Sequence, residues 1–117
     1  MIAFNRTRAR ELASRTRAAD APLSRAVGLL GRDSMDREEA LWIVPCSMVH
    51  TFFMRFPIDL LFLDRELKVV KVVEGLKPWR LSPWVLGAHS VLELASGALR
   101  DESGASRAAA GDALELR

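Results

Sequence analysis

The residues best suited to chemistry crowd into one stretch, Pro45-Cys-Ser-Met-Val-His50-Thr-Phe-Phe-Met-Arg55-Phe-Pro-Ile-Asp59. A thiol followed four positions later by an imidazole suggests a nucleophilic pair, because the imidazole can take the cysteine proton and raise the thiolate fraction. Backbone spacing decides whether the two groups meet. On a helix they would lie about 5–6 Å apart, whereas on an extended chain they stand about 13 Å apart on one face without touching. Pro45 and Pro57 flank the stretch, and Thr51, Phe52 and Phe53 favour extended backbone, so Cys46 is expected to be a packed, unreactive thiol. A metal centre would have to be assembled from Cys46, His50, Asp59, His89 and Glu93, whose spacing matches no compact zinc pattern. Neither a metal nor another cofactor is expected.

Recognition fits these residue types better than catalysis. Arg55 offers a planar fork to carboxylate or phosphate, His50 can donate or accept, and Asp59 stands four positions beyond Arg55. The plainer reading is an internal Arg55–Asp59 ion pair at the start of a strand. Lys77-Pro-Trp-Arg80, with Trp84 close behind, sets two flat apolar faces beside two cations. The tryptophans either stack on a ligand or plug the loop onto the core. Glu93 lies between Leu92 and Leu94, so strict alternation turns it away from the core, towards solvent or into a concave site opposite Arg80 or His50. The expected binding set is therefore His50, Thr51, Met54, Arg55, Asp59, Trp79, Arg80 and Glu93. Its ligand would be a small anion, a sugar-like molecule or a peptide end. One alternative is a hydrolase using Cys46 and His50 or a His/Asp/Glu metal centre. Another is a nucleic-acid or protein accessory module using Arg6, Arg8, Arg10, Arg15 and Arg17. No aromatic is interleaved with these arginines to stack on bases, which disfavours nucleic acid and suits a charged leader or edge segment.

These side chains need a scaffold, and a chain of 117 residues carries one domain. The expected organisation is a basic arm or edge segment over 1–17 and a single domain over 18–117. Half the residues are hydrophobic and 27% charged, a globular composition with a net charge of only +2. One cysteine cannot form an internal disulfide. No apolar run reaches the length of a signal peptide or a membrane span, so a cytoplasmic protein with no membrane partner is expected. Nothing in the pattern specifies an oligomeric state.

Strand signals dominate. Ala40–Val44 is a compact apolar run stopped by Pro45, and Ile58–Leu63 and Leu67–Val73 flank a polar Asp64-Arg65-Glu66 connection that suits a hairpin. Ser90–Ala95 is another strand, and Ala113–Leu116 a short last one after the Gly111-Asp112 turn. From Glu11 to Ala18 the alternation of Leu12, Ser14, Thr16 and Ala18 suits a half-exposed strand while the Ala and Arg content also suits a helix, and strand is expected near the end of the segment. Asp20 as cap, Pro22 in a first turn, Leu23, Val27 and Leu30 on one face and Gly31 as C′ residue predict one short amphipathic helix. Gly75 to Gly87 reads as a long irregular connection. Several short strands with one helix indicate a mainly β fold, an antiparallel sandwich or partly closed barrel with one short α-helix.

The order of Gly28-Leu-Leu-Gly-Arg32, His50-Thr-Phe-Phe-Met-Arg-Phe-Pro-Ile-Asp59, Phe62-Leu-Asp64, Val69-Val70, Lys77-Pro-Trp-Arg80, Val91-Leu-Glu-Leu94 and Gly111-Asp112 resembles the bacterial and archaeal domain of unknown function 192 family. The resemblance runs from about Ala18 to the C-terminus. It implies a single, mainly β domain of sandwich or barrel type with one short helix, and it brings no established function. Many relatives carry an export signal, whereas none is expected here from the residues at the N-terminus.

Overall fold

Two strands, Ile58–Leu63 and Ser90–Ala95, are buried along nearly their whole length, on both faces. Such continuous burial requires a layer on each side of their sheet. The computed structural model describes residues 1–19 and 29–117. In chain order the strands are β1 (Ala3–Asn5), β2 (Arg10–Ala13), β3 (Arg15–Ala19), β4 (Glu39–Ile43), β5 (Ile58–Leu63), β6 (Val69–Leu76), β7 (Ser90–Ala95) and β8 (Leu114–Leu116). They form a three-stranded sheet, β2-β1-β8, and a five-stranded sheet, β3-β4-β7-β5-β6. All pairings are antiparallel except β3 with β4. The two sheets remain open rather than closing into a barrel. The helix expected over Asp20–Gly31 falls, apart from its last turn, outside the described residues. Among the described residues there is no helix, and Gly31 takes a left-handed φ of 80°.

One core lies between the sheets, where Ala3, Leu12, Ala13 and Leu114 of the small sheet meet Ala40, Leu61, Leu63, Val69, Leu92 and Leu94 of the large one. The second lies on the opposite face of the large sheet. There Leu41, Ile43, Ile58, Leu60, Phe62 and Val91 are covered by Val49, Met54, Val85 and Leu29 from the connections. The layers are thus small sheet, large sheet and a loop layer, and the loop layer contains the stretch around His50.

The basic N-terminal residues belong to this architecture. β1 pairs with β8 as well as β2, so the chain ends lie side by side in one sheet. Asp112 accepts hydrogen bonds from Asn5 Nδ2 at 2.9 Å, Arg8 Nε at 2.6 Å and the Ala109 amide at 3.0 Å. Burial works against its charge, but the Asn5 and Arg8 donors bring its pKa below the ordinary carboxylate value. Arg10 and Arg15 pair with Asp101 and Asp36. Much of the positive charge expected on a free arm is therefore matched within the fold. The hairpin forms as its sequence predicts: Asp64 Oδ1 accepts from the amides of Glu66 and Lys68, both at 2.9 Å.

Candidate functional site

Pro45–Pro57 and Lys77–His89 form two long connections on one side of the large sheet, and they are laced together. Thr51 is the hub. Its amide donates to the Arg80 carbonyl at 2.8 Å and its carbonyl accepts from the Trp79 amide at 2.9 Å. Its hydroxyl accepts from the Arg80 amide at 2.9 Å and donates to the Lys77 carbonyl at 2.6 Å. Farther along, the Val49 amide donates to Ser82 Oγ, the Val85 amide to the Ser47 carbonyl, and Trp84 Nε1 to Ser47 Oγ. Thr51 is fully buried, so its polar atoms serve the scaffold that presents the rim.

The rim is apolar and exposed. Six of the eight large hydrophobic side chains exposed among the described residues lie on these two connections: Met48, Phe53, Trp79, Leu81, Trp84 and Leu86. That concentration separates the surface from scattered exposed leucines, which need no explanation. Phe53 and Trp79 are in ring contact, with centroids 4.6 Å apart and planes at 57°. Phe52 and His50 continue the cluster, Phe52 lying 6.3 Å from Trp79 and 5.3 Å from His50. Both Phe53 and Trp79 have left-handed backbone, with φ of 66° and 64°. Bulky residues avoid that region, and each such residue costs on the order of 1–3 kcal/mol. The loop hydrogen bonds hold two strained residues so that their rings meet at the surface. Neither connection contains an acidic residue, whereas Arg55, Lys77 and Arg80 are present. Arg80 has no carboxylate within ion-pair distance among the described residues.

The tertiary structure divides the expected binding set. His50, Arg55, Trp79 and Arg80 are exposed; Thr51, Met54, Asp59 and Glu93 are buried. The Arg55–Asp59 ion pair does not form. Arg55 instead bonds Asp33 at 2.7 Å, on the surface. Asp59 accepts from the backbone amides of Gly75 at 2.8 Å, Gly97 at 3.0 Å and Leu99 at 3.4 Å. Burial pushes its pKa up and those three donors hold the rise back. Asp59 therefore pins β5 to the end of β6 and to the turn after β7. Met54 packs into the second core. Trp79 and Trp84 stand 54% and 69% exposed, outside both hydrophobic cores. Cys46 is half-buried against the second core, with its Sγ 3.2 Å from the Met48 carbonyl, while the His50 ring packs on Phe52. No three of His, Cys, Asp and Glu among the described residues come together as a metal site.

Glu93 corrects the alternation argument. It does turn away from Leu92 and Leu94, yet that side is the second core and not solvent. Its cross-strand neighbours are Leu41 and Leu60. The residue is only 4% exposed, and burial alone pushes its pKa up to about 7. Met48, Phe53, Leu81 and Leu86 are the rim residues that sequence reasoning did not single out. Their signal was present: aromatic and leucine side chains in Pro/Gly-bounded connections without one acid.

With fold and surface in view, comparison with known proteins places the chain. It belongs to the domain of unknown function 192 family (DUF192, Uncharacterized ACR), which it matches over residues 4–114. The match thus includes most of the basic N-terminal segment. The UPF0127 protein PH1112 of Pyrococcus horikoshii is 39% identical over 70 residues, covering 56% of this chain and 58% of that protein. The chain resembles the structure of a protein of unknown function from Novosphingobium aromaticivorans with a TM-score of 0.81 and 19% identity, over 98% of this chain and 83% of that one. It also resembles a protein named "putative transcription regulator" from Sinorhizobium meliloti 1021, with a TM-score of 0.78 and 21% identity over 97% and 89% of the two chains. At these identities the likeness is one of fold.

Proposed function

We propose that this chain is a binding domain without chemistry of its own, recognising a small ligand that joins an anionic group to a flat or apolar face. The observation that carries the reading is the Phe53–Trp79 ring pair, exposed and held at left-handed backbone positions on connections devoid of acids. Water does not favour such an arrangement, and backbone strain of this kind collects at ligand clamps. Stacking on the Phe53 and Trp79 faces would supply the apolar part of recognition. Arg80 and His50 would meet the anion. Thr51 and Met54 hold the two connections in place, Asp59 pins β5 to the end of β6 and the turn after β7, and Glu93 lies beneath the connections in the sheet. A carboxylate-bearing peptide end, an aromatic acid or a sugar acid has the required composition.

Thermal melting tests this with benzoate, glucuronate and a C-terminal dipeptide as probes. At least one should raise the melting temperature saturably in the wild type, and Trp79→Ala or Arg80→Ala should abolish the rise without lowering the ligand-free value. If none acts, or if Trp79→Ala destabilises the ligand-free protein, the rings serve the fold and the proposal fails. Cys46→Ala should keep the response, since a catalytic thiol plays no part.

A further inference from the structure

Three arginines from distant parts of the chain, none of them on the aromatic rim, converge on one cleft. Arg10 begins β2, Arg37 precedes β4, and Arg107 lies in the connection before β8. Together with Asp101, Glu102 and Ser103 they line an open cleft of ≈ 520 Å³. Arg107 donates to the carbonyls of Ala98 and Glu11, both at 2.6 Å, and Arg37 donates to those of Gly97 and Arg100. All four acceptors are neutral. Among the described residues neither guanidinium has a carboxylate within ion-pair distance. Each also retains N–H groups beyond the two it uses, since a guanidinium carries five.

The acids in the cleft offset this charge only in part. Asp101 commits Oδ1 to the Ser103 amide at 2.9 Å, the Ser103 hydroxyl at 2.6 Å and the Ala105 amide at 3.0 Å. Its Oδ2 stands 3.8 Å from Arg10. Glu102 is exposed at the mouth. Burial first, then the like charges of Arg37 and Arg10, lowers the pKa of Arg107, against partial relief from Glu38 and Asp101. Crowded cations with unused, forked donors are the arrangement that tetrahedral oxyanions satisfy bidentately.

We propose that the cleft between Arg10, Arg37 and Arg107 is a second binding site, taking inorganic phosphate or a small phosphomonoester. The site is independent of the aromatic rim. A dianion serves it better than a carboxylate, because three cations face one another across the cleft.

The test is titration calorimetry of the full chain with inorganic phosphate, at ionic strength held constant with chloride. Arg10→Gln is the first variant, because Arg10 makes no bond to a loop carbonyl and its loss leaves the connection intact. It should weaken phosphate binding roughly fivefold or more, and Arg37→Gln should do the same. Arg6→Gln, an exposed arginine that does not line the cleft, should bind phosphate as the wild type does. The proposal is overturned if phosphate gives no saturable heat beyond that of chloride. It is also overturned if Arg6→Gln weakens binding as much as Arg10→Gln, since general charge would then explain the effect. An oligonucleotide that binds far more tightly than phosphate, with steep salt dependence, would overturn it in favour of a nucleic-acid surface.

Discussion

Replacing Glu93 with Gln removes a buried charge while keeping the side chain's shape, and its effect on stability should change with pH. In the folded chain the carboxyl titrates at about 7, against an ordinary value of 4.5, because burial opposes its ionisation. A folded pKa raised above the unfolded one means that the native state binds the extra proton between those values, so stability falls as pH rises through that window. Below pH 4.5 both states are protonated and the contribution vanishes. Above pH 7 the loss is complete, and 2.5 pKa units at 1.36 kcal/mol each give about 3 kcal/mol. Between pH 5 and pH 8 the change is about 2.5 kcal/mol, or about 10 °C in melting temperature for a domain of this size. The assay is urea denaturation of wild type and Glu93→Gln at both pH values. The variant should gain about 2.5 kcal/mol on the wild type over that interval. Taking the difference cancels Glu39, Glu74 and Asp112, whose lowered pKa values contribute in the opposite sense at more acidic pH. An unchanged difference would refute the reasoning, because Glu93 would then have a charge partner or water beside it.

Three further perturbations probe the scaffold. Asp59→Ala leaves the amides of Gly75, Gly97 and Leu99 without their acceptor and should cost about 3 kcal/mol, with Asp59→Asn losing roughly half as much; a loss within about 0.5 kcal/mol by urea denaturation would show that water replaces the carboxylate. Trp79→Gly relieves a left-handed backbone and should leave the ligand-free protein as stable or about 1 kcal/mol more so. The same change should remove the thermal response to the aromatic-rim ligand, whereas a clear destabilisation would make the ring a structural element. Deleting residues 1–13 removes β1 and β2 and strips β8 of its partner, so calorimetry should lose the single cooperative transition; an unchanged transition would show that the N-terminal segment is dispensable.

These predictions separate scaffold from surface, which local sequence did only in part. Five stretches that sequence patterning marks as strands are strands, two with their limits unchanged, because an apolar run bounded by turn residues encodes extended structure locally. Asp64 and the residues after it encode their own hairpin through side-chain bonds spanning four positions or fewer. The N-terminal residues were harder to read. Phe4 and Leu12 look like isolated hydrophobics until β8, more than a hundred residues away, supplies their sheet. Arg8 looks like free charge until Asp112 meets it. Asp59 and Arg55 suit each other by type and spacing, yet the strand turns one inward and leaves the other at the surface.

The sequence by itself determined the five strands from β4 onward and the importance of the two connections around His50 and Trp79, since composition and near-neighbour periodicity carry that information, and the order of its motifs carried the resemblance to the family. Tertiary structure decided how those residues divide. The large sheet is covered on both faces, so alternation along β7 could not distinguish solvent from core for Glu93. The lacing of Thr51 to Arg80 brings Phe53 and Trp79 together across segments that sequence leaves separate. Burial and long-range backbone pairing are properties of the assembled layers, and they turned a list of reactive-looking residues into a buried scaffold beneath an exposed aromatic rim.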